Sequence, residues 1–381
     1  MNDEMHELMG DGGLHEYLTQ SSEPFAPERP KAKNKALKRI GIIAFVVVNA
    51  AVIFFTARSE FTKDNPPPME PFTFTNILFL LAGIAIVALT IGCETVKFLL
   101  MMRHVGEKVS FRAAFEVVAL GRYYDCITPS GAGGQPFQIW YLHSHGYSAG
   151  ASSALPLSCF CTTQFGFVFL AIMVFIFGGS AIDLPGLRIT AYIGAFTYTV
   201  VPAMIVISGV APKIAMRIVA FAVKIGAALR IVKNPNHATM SAIKMLHSYS
   251  VNLKKITSNK RLFIELMLLS ILYQAAISSL PFCAIHMFGG SISFLKALAL
   301  TVFIQSVVCL VPTPGNAGAA ETSFYLIFSQ LGEAGTFWAM LVWRMLCYYS
   351  FIIIGVVIYG YTALIKLMKR KKDTPVEDQS R

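Results

Sequence analysis

Apolar runs bounded by short polar clusters make up most of this chain. Those at 37–57, 76–102, 151–177, 188–209, 263–288 and 335–365 each approach or exceed the ~20 residues that carry a helix across a bilayer. Two more stretches, 113–145 and 294–331, are equally apolar but break near their middles. The pattern predicts an all-α integral membrane protein: a polytopic bundle of about six full spans plus two interrupted segments. Residues 1–36 read as a solvated, disordered tail, 37–365 as the membrane domain and 366–381 as a basic tail.

The two interruptions share a centre. The first reads Thr128-Pro129-Ser130-Gly131-Ala132-Gly133-Gly134, the second Thr313-Pro314-Gly315-Asn316-Ala317-Gly318-Ala319, a common T-P-x-x-A-G. Freed backbone groups find no water in lipid, so irregular backbone survives there only when buried in protein or lining a cavity. The first copy follows an inward span and the second an outward one. As re-entrant hairpins they would enter from opposite faces, an inverted pair of the kind that builds transport sites near the midplane. The plainer reading makes both tips packing kinks.

Each tip has its own expected chemistry. Pro129 and Pro314 (Pro312 just before) end the entering helices, and Gly131, Gly133, Gly134, Gly315 and Gly318 permit the turns. The first returning helix starts near Gln135-Pro136, where free N–H groups and the dipole favour an anion such as phosphate. In the second, Glu321 occupies the first turn, satisfies the dipole itself, and can receive an ammonium group or a proton.

Charge sharpens the picture. Only 14% of residues are charged and 55% are hydrophobic, with a formal net charge of +11. No acid lies between Asp183 and Glu265, while ten Lys and Arg line 213–261 and more follow the last span. Bases beside spans mark the cytoplasmic side and attract anionic headgroups, which outweighs a nucleic-acid reading. Both termini are then cytoplasmic, and 210–262 reads as a basic amphipathic surface helix or a solvated connector.

Ionisable residues inside spans are candidates for function. Arg122 and Asp125, three apart, are expected to pair, and Arg344 in the last span to pair with Glu321. Glu94 and Lys97 read as a snorkelling pair near the inner surface. The seven cysteines have no metal-ligand spacing, and no nucleotide loop or nucleophile motif occurs, so neither metal, cofactor nor catalytic residue is expected.

The segments "ITPSGAGGQPFQIWYL", "GYSAGASSALPL" and "LVPTPGNAGAAETSF" resemble the flippase-like transmembrane domain of lysylphosphatidylglycerol synthetase, the multiple peptide resistance factor, over roughly 37–365. The resemblance implies translocation of an aminoacylated phospholipid between leaflets of the cell (inner) membrane, and a part in resistance to antimicrobial peptides. It carries over onto Thr128 to Gln135 and Pro312 to Glu321. Asn316 departs from the glycine usual there, and the synthetase's soluble transferase domain has no counterpart after Lys366. The implied site is Arg122, Asp125, Thr128, Pro129, Ser130, Gly131, Gly133, Gly134, Gln135, Pro312, Thr313, Pro314, Gly315, Asn316, Gly318, Glu321 and Arg344. Expected partners are membrane phospholipids and anionic headgroups, with a homodimer and a separate lipid-modifying enzyme as further candidates. The rival readings are an ion-coupled carrier of a small solute and a phosphatidylglycerol lysyltransferase.

Overall fold

The longest helix, α1 (Phe74–Val105), has well-defined ends. The Thr73 N–H donates to Asn76 Oδ1 at 3.1 Å, and Gly106 closes the other end in the left-handed conformation with φ 86°. Arg103 and His104 occupy its last turn, where cations suit the dipole. At about 1.5 Å per residue its 32 residues outreach the ~30 Å hydrocarbon core. The computed structural model describes Arg58 and residues 73–128, 131–177, 185–210, 249–308, 311, 313, 315–332 and 335–372. The expected span 37–57, the tail 1–36, residues 373–381 and most of the basic stretch 210–262 lie outside the described residues, while 366–372 continue the last helix.

After α1 come α2 (Phe111–Ile127), α3 (Gly134–Ser144), α4 (Ala149–Phe177), α5 (Pro185–Val210) and α6 (249–258). They are followed by α7 (Lys260–Met287), α8 (Phe294–Val308), α9 (Ala319–Gln330) and α10 (Thr336–Arg344). A π-helical turn, Met345–Tyr349, joins α10 to α11 (Ser350–Lys372). Among the described residues there is no strand. Phe74–Val105, Ala149–Phe177, Lys260–Met287 and Thr336–Thr362 are long and apolar enough to cross a membrane, and α5 covers the expected span 188–209.

The core lies between α1 and α7, with α4 beside them. Phe98, Met101 and Met102 of α1, Leu266 of α7 and Leu155 of α4 are fully buried in one apolar cluster. Polar side chains stitch these helices as well. Gln274 Nε2 donates to Thr163 O at 3.2 Å, and Gln305 Nε2 on α8 to Ser278 Oγ at 3.3 Å.

The two interrupted stretches are helical hairpins opening toward opposite ends of the bundle. The arms α2 and α3 begin and end where the α1–α2 and α3–α4 loops meet, with Ser148 Oγ donating to Glu107 and Tyr147 Oη to Lys108 O at 3.0 Å. The arms α8 and α9 open at the other end, where Asn76 Nδ2 reaches Met287 O at 2.6 Å and Gly335 abuts Phe288. Arms of 17, 11, 15 and 12 residues extend only about 17–26 Å, so none matches a ~30 Å core. The two hairpins thus open at opposite ends of the bundle.

Candidate functional site: two hairpin tips around Tyr348

The first tip is stapled from within. Ile127 ends α2, and Thr128 turns to extended backbone at φ −112°, ψ 148°. The Thr128 hydroxyl donates to Tyr124 O at 2.7 Å and accepts the Gly133 N–H at 2.9 Å. One residue on, the Gly134 N–H donates to Asp125 Oδ1 at 2.8 Å. A Cβ on Gly134 would lie 2.3 Å from that oxygen, so only glycine lets the carboxylate approach the helix start. Gly131 bends the loop at φ +61°, while Pro129 and Ser130 lie outside the described residues.

This corrects two expectations. The start of α3 is not a vacant cradle for phosphate, because Asp125 and Thr128 already occupy its leading N–H groups and Pro136 offers none. Nor do Arg122 and Asp125 form the ion pair that their spacing suggests. Arg122 makes a two-point contact with Glu94 of α1, Nη2 to Oε1 at 2.7 Å and Nε to Oε2 at 3.0 Å. Its guanidinium also lies 5.0 Å from the ring centre of Tyr273 on α7. A planar fork meeting a carboxylate on another helix outcompetes an i,i+3 neighbour, whose own oxygen is drawn to the helix N-terminus.

The second tip has the same elements in another order. Gly315 and Asn316 both adopt left-handed backbone, φ 56° and 54°. Asparagine tolerates that region better than most side chains, which is why it stands where glycine was expected. Thr313 Oγ1 donates to Ala317 O at 2.9 Å, spanning the turn. Glu321 Oε2 accepts the Gly318 N–H at 2.7 Å at the start of α9. Its other oxygen, Oε1, takes Arg344 Nε at 2.5 Å, and Arg344 Nη2 donates to Gly315 O at 3.2 Å. Glu321 and Arg344 are only 3% and 6% exposed. Pro312 and Pro314 lie outside the described residues.

Each tip thus carries a carboxylate on the returning helix's first N–H groups and an arginine held by a carboxylate. Asp125 and Glu94 share these roles in the first tip, whereas Glu321 performs both in the second.

Tyr348, in the π turn, stands between the two. Its hydroxyl donates to Cys126 O at 3.1 Å, and its carbonyl receives the Cys126 thiol at 3.8 Å. Its ring lies against Gly315 so closely that a Cβ there would fall 2.0 Å from Cε2. The Arg344 guanidinium sits 4.5 Å from the same ring's centre. One side chain touches both tips, on a helical turn whose hydrogen-bond register is already shifted. Nothing in the sequence singled out Tyr348 from its aromatic neighbours.

Lys97 is a further correction. It does not snorkel: it is fully buried, and Nζ reaches Thr163 Oγ1 at 2.5 Å, Ser270 Oγ at 2.9 Å and Cys159 O at 3.4 Å. Glu94, its expected companion, is committed to Arg122. Among the described residues no His/Cys/Asp/Glu cluster suits a metal ion.

Long apolar helices around a polar interior define a polytopic helical membrane protein. The chain belongs to the family described as the lysylphosphatidylglycerol synthase TM region, whose sequence model matches residues 41–355 and so takes in both hairpins. A UPF0104 membrane protein of Archaeoglobus fulgidus is 22% identical over 337 residues, which cover 85% of this chain and 97% of that protein. The matched family is described by its membrane region, not by a catalytic domain.

Proposed function

We propose that this chain is a lipid translocase that moves a phospholipid bearing both phosphate and amine, of the aminoacylated phosphatidylglycerol type, between the leaflets of the cell membrane. The observation that carries this reading is the contact of Tyr348 with both tips, flanked by the pairs Glu94–Arg122 and Glu321–Arg344. A bare charge inside a membrane is costly, and removing one partner of a buried pair costs about 3–5 kcal/mol. A headgroup carrying both signs avoids that penalty by exchange. Its phosphate takes the arginine as its ammonium takes the carboxylate, and no charge is left alone.

Of the two arginines, Arg122 keeps 26% of its side chain exposed against 7% for Arg344, so exchange begins at the first tip. Movement of α10, the π turn and α11 past the tips then hands the headgroup to the second pair while the acyl chains stay in lipid. No covalent step is involved, and no transferase chemistry is assigned to these helices. The end of the bundle bearing Arg103, Lys108, Arg112, Lys254, Lys255, Lys260 and Arg261 faces the cytoplasm in this reading, with both termini on that side.

Lys97 favours a second reading. A buried ammonium held only by neutral oxygens from two neighbouring helices suits a carrier that couples solute movement to an ion. Reconstitution separates the two. Purified protein in vesicles containing fluorescent phosphatidylglycerol or its lysyl derivative should expose the lysyl lipid to an outside quencher faster than the plain one. Flat traces for both from folded protein would remove the lipid reading.

A further inference from the structure

At the basic end of the bundle, a cavity of about 550 Å³ separates the last turn of α1 from the first turns of α7. Leu100, Arg103, His104, Asn259, Arg261, Leu262 and Glu265 line it. The volume is that of an ordinary small-ligand site. Its polar groups are unevenly committed. Asn259 accepts the Leu262 N–H at 3.1 Å and lies 3.4 Å from His104 Nδ1, whose other nitrogen meets Lys255 O at 3.1 Å. Arg261 pairs with Glu265 at 3.0 Å. Arg103 makes neither a hydrogen bond nor an ion pair with a described residue. Among the described residues, two guanidiniums thus line the cavity with one carboxylate.

The surfaces leading away from it are apolar. On α7, Ile264, Leu268 and Leu272 follow Arg261 at intervals of three, seven and eleven residues, on one face, and all three are exposed. On α1, Val96 and Leu89 precede Arg103 by seven and fourteen residues, again on one face and exposed. Each arginine therefore stands at the head of an apolar track, and the two tracks run down neighbouring helices from one polar notch. A soluble anion has no use for such tracks. A two-chain lipid needs both.

We propose that this notch binds the phosphate of an anionic two-chain phospholipid, with Arg103 as its principal ligand and Arg261 as the second, one acyl chain lying along each track. The inference rests on the lipid-transport reading for its role, as the place where substrate waits at the inner surface before reaching the tips. It does not rest on that reading for its existence.

Native mass spectrometry of the full chain in mild detergent tests it, with phosphatidylglycerol, phosphatidylcholine and inorganic phosphate as separate probes. Phosphatidylglycerol should be retained well above phosphatidylcholine. Arg103→Gln and Arg261→Gln should each weaken its retention roughly five-fold, the scale of one basic residue at a membrane surface. Glu265→Gln, which releases Arg261 from its partner, should strengthen retention, a gain that misfolding cannot mimic. Lys108→Gln with Lys254→Gln removes as much charge at the same end outside the notch, and should change nothing. Equal retention of the two lipids, an equal loss in that control, or displacement of the lipid by inorganic phosphate at matched concentration would each overturn the site. Vesicle translocation is scored separately. Retention as stated without translocation rejects the transport reading alone, and translocation without selective retention rejects this one alone.

Discussion

Consider Glu321→Ala. The substitution leaves Arg344 buried beside Gly315 O, the Cys347 thiol and two aromatic faces, with no carboxylate among its described partners, and strips the Gly318 N–H of its acceptor. An orphaned partner of a buried pair costs about 3–5 kcal/mol, and a hydrogen bond to a charged group adds about 1.5–3. The single variant should therefore lose at least about 4 kcal/mol. Arg344→Ala leaves Glu321 its Gly318 donor and should lose about 3–5 kcal/mol. The double variant has no orphaned charge, so it should fall short of the sum of the singles by about 2–3 kcal/mol. Unfolding in mixed micelles with increasing dodecyl sulfate, followed by tryptophan fluorescence, measures all four. Trp343 is stacked on Phe324 at 4.8 Å beside the pair and so reports locally. Additive losses, or a Glu321→Ala cost under about 1 kcal/mol, would refute the view that this pair is a desolvated unit.

Other expectations follow from the same contacts. Gly315→Ala forces a Cβ into the Tyr348 ring at a left-handed φ of 56°, so it should abolish translocation in vesicles while Ala317→Gly largely preserves it. Asp125→Asn keeps an oxygen for the Gly134 N–H and should be tolerated, whereas Asp125→Ala should cost about 1–2 kcal/mol in the unfolding assay, as loss of a helix cap does. Lys97→Met should leave stability nearly unchanged, because the hydroxyls of Thr163 and Ser270 keep bonds to Cys159 O and Leu266 O at 2.8 and 2.7 Å. If the lipid reading holds, its transport rate should respond little to an imposed pH gradient, with or without Lys97.

Hydropathy made four of the expected spans legible, and the proline-glycine clusters marked both breaks, because broken backbone in an apolar run has few chemical causes. Counting crossings led to the expectation that the hairpins enter from opposite faces, and their arms open at opposite ends of the bundle. Side-chain partnership was less legible. Glu94 and Arg122 sit 28 positions apart on different helices, and no periodicity links them. The local i,i+3 rule pointed to Asp125 and to Lys97 instead, and both turned out to serve other partners. Lys97 shows the limit of judging depth from distance to a span's end, since α1 carries two more turns beyond it before Gly106. Tyr348 lies in an aromatic-rich segment, Tyr348-Tyr349-Ser350-Phe351, and the π turn that aims it leaves no mark on composition. Asn316 was readable as a departure, and its left-handed backbone supplies the reason.

The central claim is that substrate passes between tips inserted from opposite faces. Single cysteines at Ala132 and at Thr313, labelled in sealed, oriented vesicles with a membrane-impermeant maleimide, test it most directly against the unmodified chain. The account predicts that Ala132→Cys reacts from the face bearing Arg103 and Lys108, and Thr313→Cys from the other, with phospholipid slowing both. Labelling of both from one face, or rates indifferent to lipid, would contradict it.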